Sequence, residues 1–214
     1  MNPFIYHPVR DQLNQANTFG ANPSEYAHLG FKGHPGQDYG SPSGTPLYAP
    51  CDGDAFYCTD IDGGDGIWIR YPDGAHPQFN VILWHLWPKG NPQYPFAIPT
   101  DGSSARVTAG QLLAYTDNSG YPRESTGPHL HLGVMPCTPD GRPLYPDNGY
   151  GGCVDPAPYL LGQFAQDVPA MDAALETSER IVTAIASSPL PLPAKQSFLS
   201  KVAQLITWLS SIIR

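Results

Sequence analysis

The sequence predicts a mainly β fold, an antiparallel β-sheet domain followed by a C-terminal helical hairpin. Gly and Pro account for 47 of the 214 residues (22 plus 25) and lie mainly in the first 160, which favours short strands joined by many turns. From Asp167 onward Gly is absent and apolar residues recur at helical spacing. A chain of this length can hold one main domain and an appendage. We therefore predict a β domain over residues 1–160 and a helical tail over residues 161–214.

The strand character of the first part lies in six short runs bounded by turn sequences. The runs are Pro46–Ala49, Asp54–Cys58, Gly66–Tyr71, Val81–Leu86, Gln111–Tyr115 and His129–Met135. The turn sequences are Asp52-Gly53, Asp62–Gly66, Asp73-Gly74 and Asp101-Gly102. Such residues tolerate positive φ and allow antiparallel strands to reverse direction.

The tail carries one apolar stripe on each of two predicted helices. The stripes, separated by the Pro-rich run Ser187–Pro193, consist of Met171, Leu175, Val182 and Ile185, then Phe198, Val202, Leu205, Leu209 and Ile212. We expect this hairpin to pack on the core or to self-associate. A membrane-surface role would require Lys and Arg along the polar face, and the mixed charges of the tail do not supply such a row.

Charge and hydropathy argue against two classes of partner. The formal net charge is −8 and only 11 residues are Lys or Arg, so we expect no nucleic-acid partner. No run approaches the roughly 20 apolar residues that cross a bilayer, which predicts no transmembrane segment. The N-terminus has neither the basic nor the apolar region of a secretory signal, and the sequence leaves localisation open.

The four cysteines, Cys51, Cys58, Cys137 and Cys153, lack the paired spacing of a structural zinc site. Cys137 and Cys153 flank a loop rich in Pro, Gly and Asp, where a disulfide would stabilise irregular chain in an oxidising compartment. Buried free thiols are the alternative, and the sequence leaves both open.

The histidines at 129 and 131 alternate with Leu130 and Leu132. In a strand, which has a period of two residues, both imidazoles project from one face while the leucines enter the core. Two adjacent imidazoles disfavour each other's protonation, so they suit the roles of metal ligand and base. A purely structural pair is the alternative that this motif alone leaves open.

A second candidate pair is His34 and Asp38, an imidazole and a carboxylate four residues apart. Pro35 and Gly36 argue against a continuous helix, so a shaped loop must bring the two groups together. Both groups are common zinc ligands. A third ligand from a distant strand would leave a fourth position open for water, which is the arrangement of a catalytic zinc rather than a structural one.

The remaining histidines carry less information. His85 lies near the end of the predicted strand Val81–Leu86 and, taken alone, is more typical of a satisfied core histidine than of a catalytic one. His7, His28 and His76 lie in loop-like sequence, where we expect structural or solvent-facing roles.

In their order along the chain, these segments resemble the lysostaphin-type (LytM-type) zinc metallopeptidases of bacterial cell-wall turnover. The resemblance covers residues 19–135 and rests on Phe19-Gly20, His34–Asp38, Gly44–Pro50 with Gly53, Leu83–Leu86, Ala109–Tyr115 and Ser125–His131. Two features depart from the family pattern. Leu83 stands where the family usually has Tyr, and the residues from Trp87 to Arg106 form an insertion that we expect to reshape the substrate groove.

The resemblance implies an active-site groove in which His34, Asp38 and His131 bind Zn²⁺, with His85 and His129 as catalytic residues that do not bind the metal. It also implies a peptidoglycan hydrolase, an endopeptidase that cuts the peptide cross-links of the bacterial cell wall. One histidine would take a proton from the attacking water and the other would stabilise the oxyanion or the leaving amine. The sequence assigns neither role and does not identify the bond.

Three functions therefore compete. The first is a peptidoglycan endopeptidase at the bacterial cell wall, with a phage lysis or cell-wall-penetration enzyme (an endolysin) as its expected setting. The second is a catalytically inactive relative that serves as a scaffold, a regulator or a virion structural component. The third is a zinc hydrolase that acts on another peptide or ester. Retention of all five implied site residues favours the first.

Overall fold

The computed structural model describes residues 4–11, 13–71, 78–123, 125–189 and 191–212, except the side chains at 205, 206 and 208–212. The predicted turn Asp73-Gly74, His76 and the stripe side chains of Leu205, Leu209 and Ile212 lie outside the described residues. The chain separates into two compact units, Met1–Gln166 and Asp167–Arg214. The predicted division between residues 160 and 161 stays a prediction.

The described part of the first unit consists mainly of short strands. These are β1 (Ile5–His7), β2 (Gln37–Tyr39), β3 (Pro46–Tyr48), β4 (Gly53–Asp60), β5 (Gly64–Tyr71), β6 (Gln78–Leu86), β7 (Ser104–Val107), β8 (Leu112–Tyr115), β9 (Leu130–Cys137) and β10 (Leu160–Phe164). Helical segments are short: α1 (Pro23–Tyr26) and three 3-10 turns at Ala27–Leu29, Ala157–Tyr159 and Ala165–Asp167.

Six of these strands form one antiparallel sheet in the order β2-β9-β6-β5-β4-β7. Strands β3 and β8 form a separate antiparallel pair, and β1 pairs with β10 in parallel. The predicted mainly antiparallel β fold is confirmed. The parallel β1–β10 pair was not predicted, because it joins segments that are far apart in the sequence and carry no alternating pattern.

All six predicted runs are strands, with ends that shift by a few residues. The reversal between β4 and β5 lies at residues 61–63 and overlaps the predicted turn Asp62–Gly66 only in part, since β5 already begins at Gly64. At this reversal the Asp60 carboxylate accepts hydrogen bonds from the backbone N–H groups of Asp62 and Gly63. Strand β2 has only three residues, and its strand conformation depends on pairing with β9.

Alternation along the central strands divides the six-stranded sheet into two faces. One face carries Ile67, Ile69, Val81, Leu83 and Leu132, which are fully buried in the hydrophobic core. Because successive side chains point to opposite faces, the other face of the same strands carries Trp68, Ile82, Trp84 and His131. Burial of the first face in the core therefore determines which side chains lie on the second face.

The second unit is a helical hairpin, as predicted, formed by α2 (Val168–Ser187) and α3 (Leu192–Ile212). Its buried stripe differs in detail from the prediction. The least exposed row of α2 contains Met171, Ala174, Ser178, Val182 and Ile185, whereas Leu175 is 52% exposed. Three of the four predicted residues, Met171, Val182 and Ile185, thus lie in this row, and only Leu175 falls outside it. Within the described part of the chain, neither long helix has the length and hydropathy required to cross a bilayer.

The insertion predicted between Trp87 and Arg106 contains β7 but is otherwise irregular from residue 87 to residue 103. Trp87 stacks on Tyr94 with ring centroids 4.9 Å apart, and Phe96 meets Tyr57 edge to face at 5.2 Å. The first contact lies within the segment, and the second joins the segment to β4.

The four cysteines are free thiols. Burial raises the pKa of Cys153 to about 12 and also raises that of Cys137. Both side chains therefore remain protonated at neutral pH, which agrees with the free-thiol alternative.

Strand β9 provides a test of the core. Replacing Leu132, which is fully buried, with Ala should lower the free energy of unfolding by about 2–5 kcal/mol because it removes apolar contacts and leaves a cavity. Leu144→Ala is the matched control, since Leu144 is 43% exposed and its truncation should cost less than about 0.5 kcal/mol. Urea unfolding followed by tryptophan fluorescence measures both, and equal losses would contradict the assignment of faces.

Candidate functional site

Strand pairing brings the candidate side chains together on the sheet face opposite the core. Asp38 in β2 lies directly across from His131 in β9, and His131 lies across from Trp84 in β6. His34 lies just before β2, in the turn that leads into that strand. Residues 97 positions apart in the sequence thereby meet.

Three ligand-type atoms converge at this point. His34 Nε2 lies 2.8 Å from His131 Nδ1 and 3.2 Å from Asp38 Oδ1, and His131 Nδ1 lies 3.3 Å from the same oxygen. All three residues are buried. Although Asp38 Oδ1 is this close to both rings, no partner among the described residues has the geometry of a hydrogen bond to it. The three ligand-type atoms thus converge on one point, and Asp38 Oδ1 remains without a hydrogen-bond partner among the described residues.

The electrostatics of the cluster favour metal-binding protonation states. Burial opposes ionisation of Asp38, but the adjacent His131 and His34 rings hold the pKa of its carboxyl well below its ordinary value. Burial also lowers the pKa of the His131 imidazole. At neutral pH the group therefore presents a carboxylate and a neutral imidazole, the forms that bind a metal ion.

Neighbouring groups fix the ligand side chains. The Asn17 amide donates a hydrogen bond to Asp38 Oδ2. Gly36 lies under the His131 ring, where an added Cβ would come within 2.6 Å of Cε1 and 2.7 Å of Nε2. Tyr26 packs against His34 with ring centroids 5.2 Å apart. Among the described residues, none forms a hydrogen bond with the buried His34 Nδ1.

His85 is held in one orientation at the end of β6. Its Nδ1 lies 2.7 Å from the Ser119 carbonyl oxygen, which can only accept a hydrogen bond, so Nδ1 carries the hydrogen and Nε2 is left as an acceptor. Burial, followed by the nearby His129 and His131, lowers the pKa of His85 to about 3. Its backbone is left-handed, with φ 67°, and this conformation is costly for a residue with a side chain.

His129 has the same tautomer by the same argument. Its Nδ1 lies 2.8 Å from the Gly127 carbonyl oxygen and 3.3 Å from Ser125 Oγ. Its Nε2 lies 3.5 Å from Asp38 Oδ2, and its ring centroid is 4.4 Å from that of His85. Two acceptor nitrogens thus lie beside the three converging ligand atoms.

The loop that holds His85 is itself anchored on the β4–β5 reversal. Ser119 Oγ accepts a hydrogen bond of 3.0 Å from the Asp65 N–H. Gly64 and Gly120 allow the close approach, because a Cβ on Gly64 would lie 2.4 Å from the Gly120 nitrogen, and one on Gly120 would lie 2.2 Å from the Asp62 oxygen. This contact places the Ser119 carbonyl where His85 needs it.

The cluster opens into a cavity of about 290 Å³. Beside the site histidines, its walls are largely aromatic or apolar and include Tyr26, Phe31, Trp68, Ile82, Trp84 and Tyr150. Trp84 lies close against Gly66, where a Cβ would come within 2.3 Å of its ring. None of residues 87–103 lines this cavity. The insertion therefore does not shape this cavity, contrary to the expectation that it would reshape the substrate groove.

All five residues singled out from the sequence meet in this site: His34, Asp38, His131, His85 and His129. His7 instead hydrogen-bonds Tyr39 in the first unit, and His28 is exposed. Sequence reasoning missed Asn17 and the carbonyls of Ser119 and Gly127. A carbonyl has no sequence signature, and the one available clue to Asn17 was its position just before Phe19-Gly20.

The donor set fits a zinc ion. Ligand atoms about 2.0–2.2 Å from a tetrahedral zinc lie about 3.3–3.6 Å from each other. The two distances to Asp38 Oδ1, 3.2 and 3.3 Å, are close to this range, and the 2.8 Å between the nitrogens is shorter by a few tenths of an ångström. The otherwise unsatisfied Asp38 Oδ1 would gain a partner.

No family model matches the sequence, and no curated protein matches it. Several similar solved structures are lysostaphin-type or M23 peptidases. The catalytic domain of the antimicrobial peptidase lysostaphin from Staphylococcus simulans is 21% identical, with a TM-score of 0.43, over 73% of this chain and 88% of that chain. A mutant catalytic domain of the prophage-encoded M23 protein EnpA from Enterococcus faecalis is 22% identical, with a TM-score of 0.42, over 74% and 93%. A zinc-containing peptidase from Vibrio cholerae is 21% identical, with a TM-score of 0.46, over 72% of this chain and 39% of that chain.

The contact between Gly36 and His131 gives a test of the cluster. Because a Cβ at Gly36 would also come within 2.5 Å of the Leu132 carbonyl oxygen, Gly36→Ala should displace both the His131 ring and the adjoining main chain of β9 from Asp38. It should weaken zinc binding on the order of 10–100-fold, as loss of other supporting contacts does. Gly40→Ala is the matched control, because a Cβ at Gly40 meets nothing within 4 Å. Competition with a chromophoric chelator measures both affinities. Unchanged affinity in Gly36→Ala would show that the ring position does not govern metal binding.

Proposed function

We propose that this chain is a lysostaphin-type zinc endopeptidase that hydrolyses the peptide cross-links of bacterial peptidoglycan. One observation carries the proposal: three converging ligand atoms lie beside two imidazoles whose Nε2 atoms are free to accept a proton, at the bottom of a groove. A structural metal site has no need of the two additional histidines.

His34, Asp38 and His131 are the residues that would hold the metal. When bound, Zn²⁺ with three protein ligands lowers the pKa of a water molecule at its open position and polarises a substrate carbonyl. The carboxylate of Asp38 would offset part of the charge of the ion. Its position opposite His131 in the sheet holds the carboxylate beside the imidazole.

His85 and His129 would move the protons. Each donates its Nδ1 hydrogen to a backbone carbonyl, so each presents Nε2 as an acceptor. One of them would take a proton from the attacking water, and the other, once protonated, would donate a hydrogen bond to the developing oxyanion or the leaving amine. Their rings lie 4.4 Å apart, and burial together with the neighbouring His129 lowers the pKa of His85, so a positive charge on both rings at once is disfavoured and the two roles are separated.

The groove supplies orientation for a peptide. Its aromatic walls bury the aliphatic parts of a short peptide, and the buried position of the cluster limits access of bulk water to the reacting atoms. The net charge of −8 is compatible with a partner that is not a polyanion. We propose the bacterial cell wall as the place of action and phage lysis or wall penetration as the setting.

Metal content and lysis test the proposal together. Purified protein should contain about one zinc per chain and should clear suspensions of purified peptidoglycan, and a chelator should abolish the clearing. Bound zinc without clearing or release of new amino groups would favour the alternative, an inactive relative that serves as a scaffold, regulator or virion component. Absence of zinc would overturn the site itself.

Paired substitutions in β9 and in the segment before it test the division of roles. His131→Ala should lose stoichiometric zinc because it removes a ligand. His129→Ala should retain zinc yet lower turnover by about 10²–10⁴-fold, because it removes a group that transfers protons. Equilibrium dialysis and release of amino groups from peptidoglycan measure the two effects. Equal zinc loss in both variants would show that the two roles are wrongly assigned.

His28→Ala is the matched control for these variants, since His28 is an exposed histidine that does not line the cavity. It should retain both zinc and turnover. His85→Ala should behave like His129→Ala, since His85 also contacts the groove without belonging to the ligand cluster.

A further inference from the structure

We infer that Asn17 is a positioning residue for the metal site, which sets the direction of the Asp38 carboxylate through a hydrogen bond to Oδ2. This inference rests on the proposed function, because it assigns Asp38 Oδ1 to the zinc ion. Asn17 lies outside the segments that carry the family resemblance.

Two contacts join Asn17 to Asp38. The side-chain amide donates to Asp38 Oδ2, and the backbone carbonyl accepts the Asp38 N–H at 3.2 Å. Asn14 adds a third contact, since its N–H donates to the Asp38 carbonyl at 2.8 Å. The segment from 14 to 17 therefore holds both the main chain and the side chain of Asp38.

The orientation of the Asn17 amide is determined from both ends of a short chain of hydrogen bonds. A carboxylate only accepts, so the Asn17 nitrogen faces Asp38 and its Oδ1 faces Asn22. Asn22 Nδ2 then donates to Asn17 Oδ1 at 3.1 Å and to the Ala16 carbonyl, which also only accepts, at 3.3 Å. No other assignment satisfies both ends.

Asn22 adopts an unusual backbone to make these contacts. Its φ of 51° and ψ of 53° are left-handed, a conformation that Asn tolerates better than most residues. Asn17 Nδ2 has a second, longer contact at 3.4 Å with the Tyr26 hydroxyl oxygen. Tyr26 in turn packs on His34, so the same network touches two of the three proposed ligands.

The consequence concerns the direction of the carboxylate. With Oδ2 engaged by Asn17, Oδ1 points at His34 Nε2 and His131 Nδ1. Without Asn17 the carboxylate can rotate about its terminal torsion, which is broad, and the geometry of the three ligand atoms is lost part of the time. Outer partners of metal ligands typically contribute 10–100-fold to affinity.

The test compares zinc affinity in Asn17→Leu and Asn17→Ala with that of the unmodified chain, by competition with a chromophoric chelator. Asn17→Leu keeps most of the side-chain volume and removes both the amide donor to Asp38 and the oxygen that accepts from Asn22. Both variants should bind zinc about 10–100-fold more weakly. Asn91→Ala is the matched control, because Asn91 Oδ1 accepts hydrogen bonds from Gln93 and Tyr94 in the irregular segment away from the cavity.

A spectroscopic measurement separates positioning from folding. In the cobalt-substituted protein, the d–d absorption of Co²⁺ reports ligand geometry, so the Asn17 variants should change this spectrum while Asn91→Ala leaves it unchanged. Melting of the chelator-treated variants checks that they fold.

An affinity within twofold of the unmodified chain in Asn17→Leu, or an unaltered cobalt spectrum in both Asn17 variants, would overturn the inference and leave the proposed function intact. If the unmodified chain binds no zinc, it is the proposed function that fails, and this inference fails with it.

Discussion

The pairing of β2 with β9, in a register that sets Asp38 opposite His131, is the constraint on which the rest of the site depends. In a strand the side-chain period is two, so a slip of one residue would turn His131 into the core and bring a leucine to the groove. The register is secured by the buried leucines at 130 and 132, which can be accommodated on one face only. The geometry of the His34, Asp38 and His131 cluster thus follows from hydrophobic burial.

Burial also imposes a free-energy cost at this place. A buried polar atom without a hydrogen bond costs about 1–3 kcal/mol, and both His34 Nδ1 and Asp38 Oδ1 lack such a bond among the described residues. The low pKa of Asp38 shows that the two adjacent imidazoles already favour its ionised form despite burial. A bound cation would offset the remaining cost at Asp38, so the same atoms that destabilise the free cluster favour its occupation.

Local patterns predicted the parts of this molecule that depend on local sequence. Alternation of His129 and His131 with leucines indicated one polar face, and the helical hairpin followed from apolar spacing after Asp167. The contacts that orient the site were not predictable in this way. His85 and His129 are held by the carbonyls of Ser119 and Gly127, which every residue type possesses, and the parallel β1–β10 pair joins opposite ends of the first unit. The face of α2 was predicted except at Leu175, because hydrophobicity alone does not indicate that Ala174 and Ser178 are less exposed than this leucine.

The left-handed backbone of His85 has a cost in stability that comes together with the placement of its imidazole in the cavity. A side chain in this conformation costs about 1–2 kcal/mol relative to the right-handed region, and Gly, which adopts it without that cost, would relieve the cost while removing the imidazole. Selection for a stable fold alone would therefore favour Gly at position 85. Histidine at this position therefore carries a backbone cost and places its ring on the wall of the cavity, and strained residues of this kind cluster at active sites and ligand clamps.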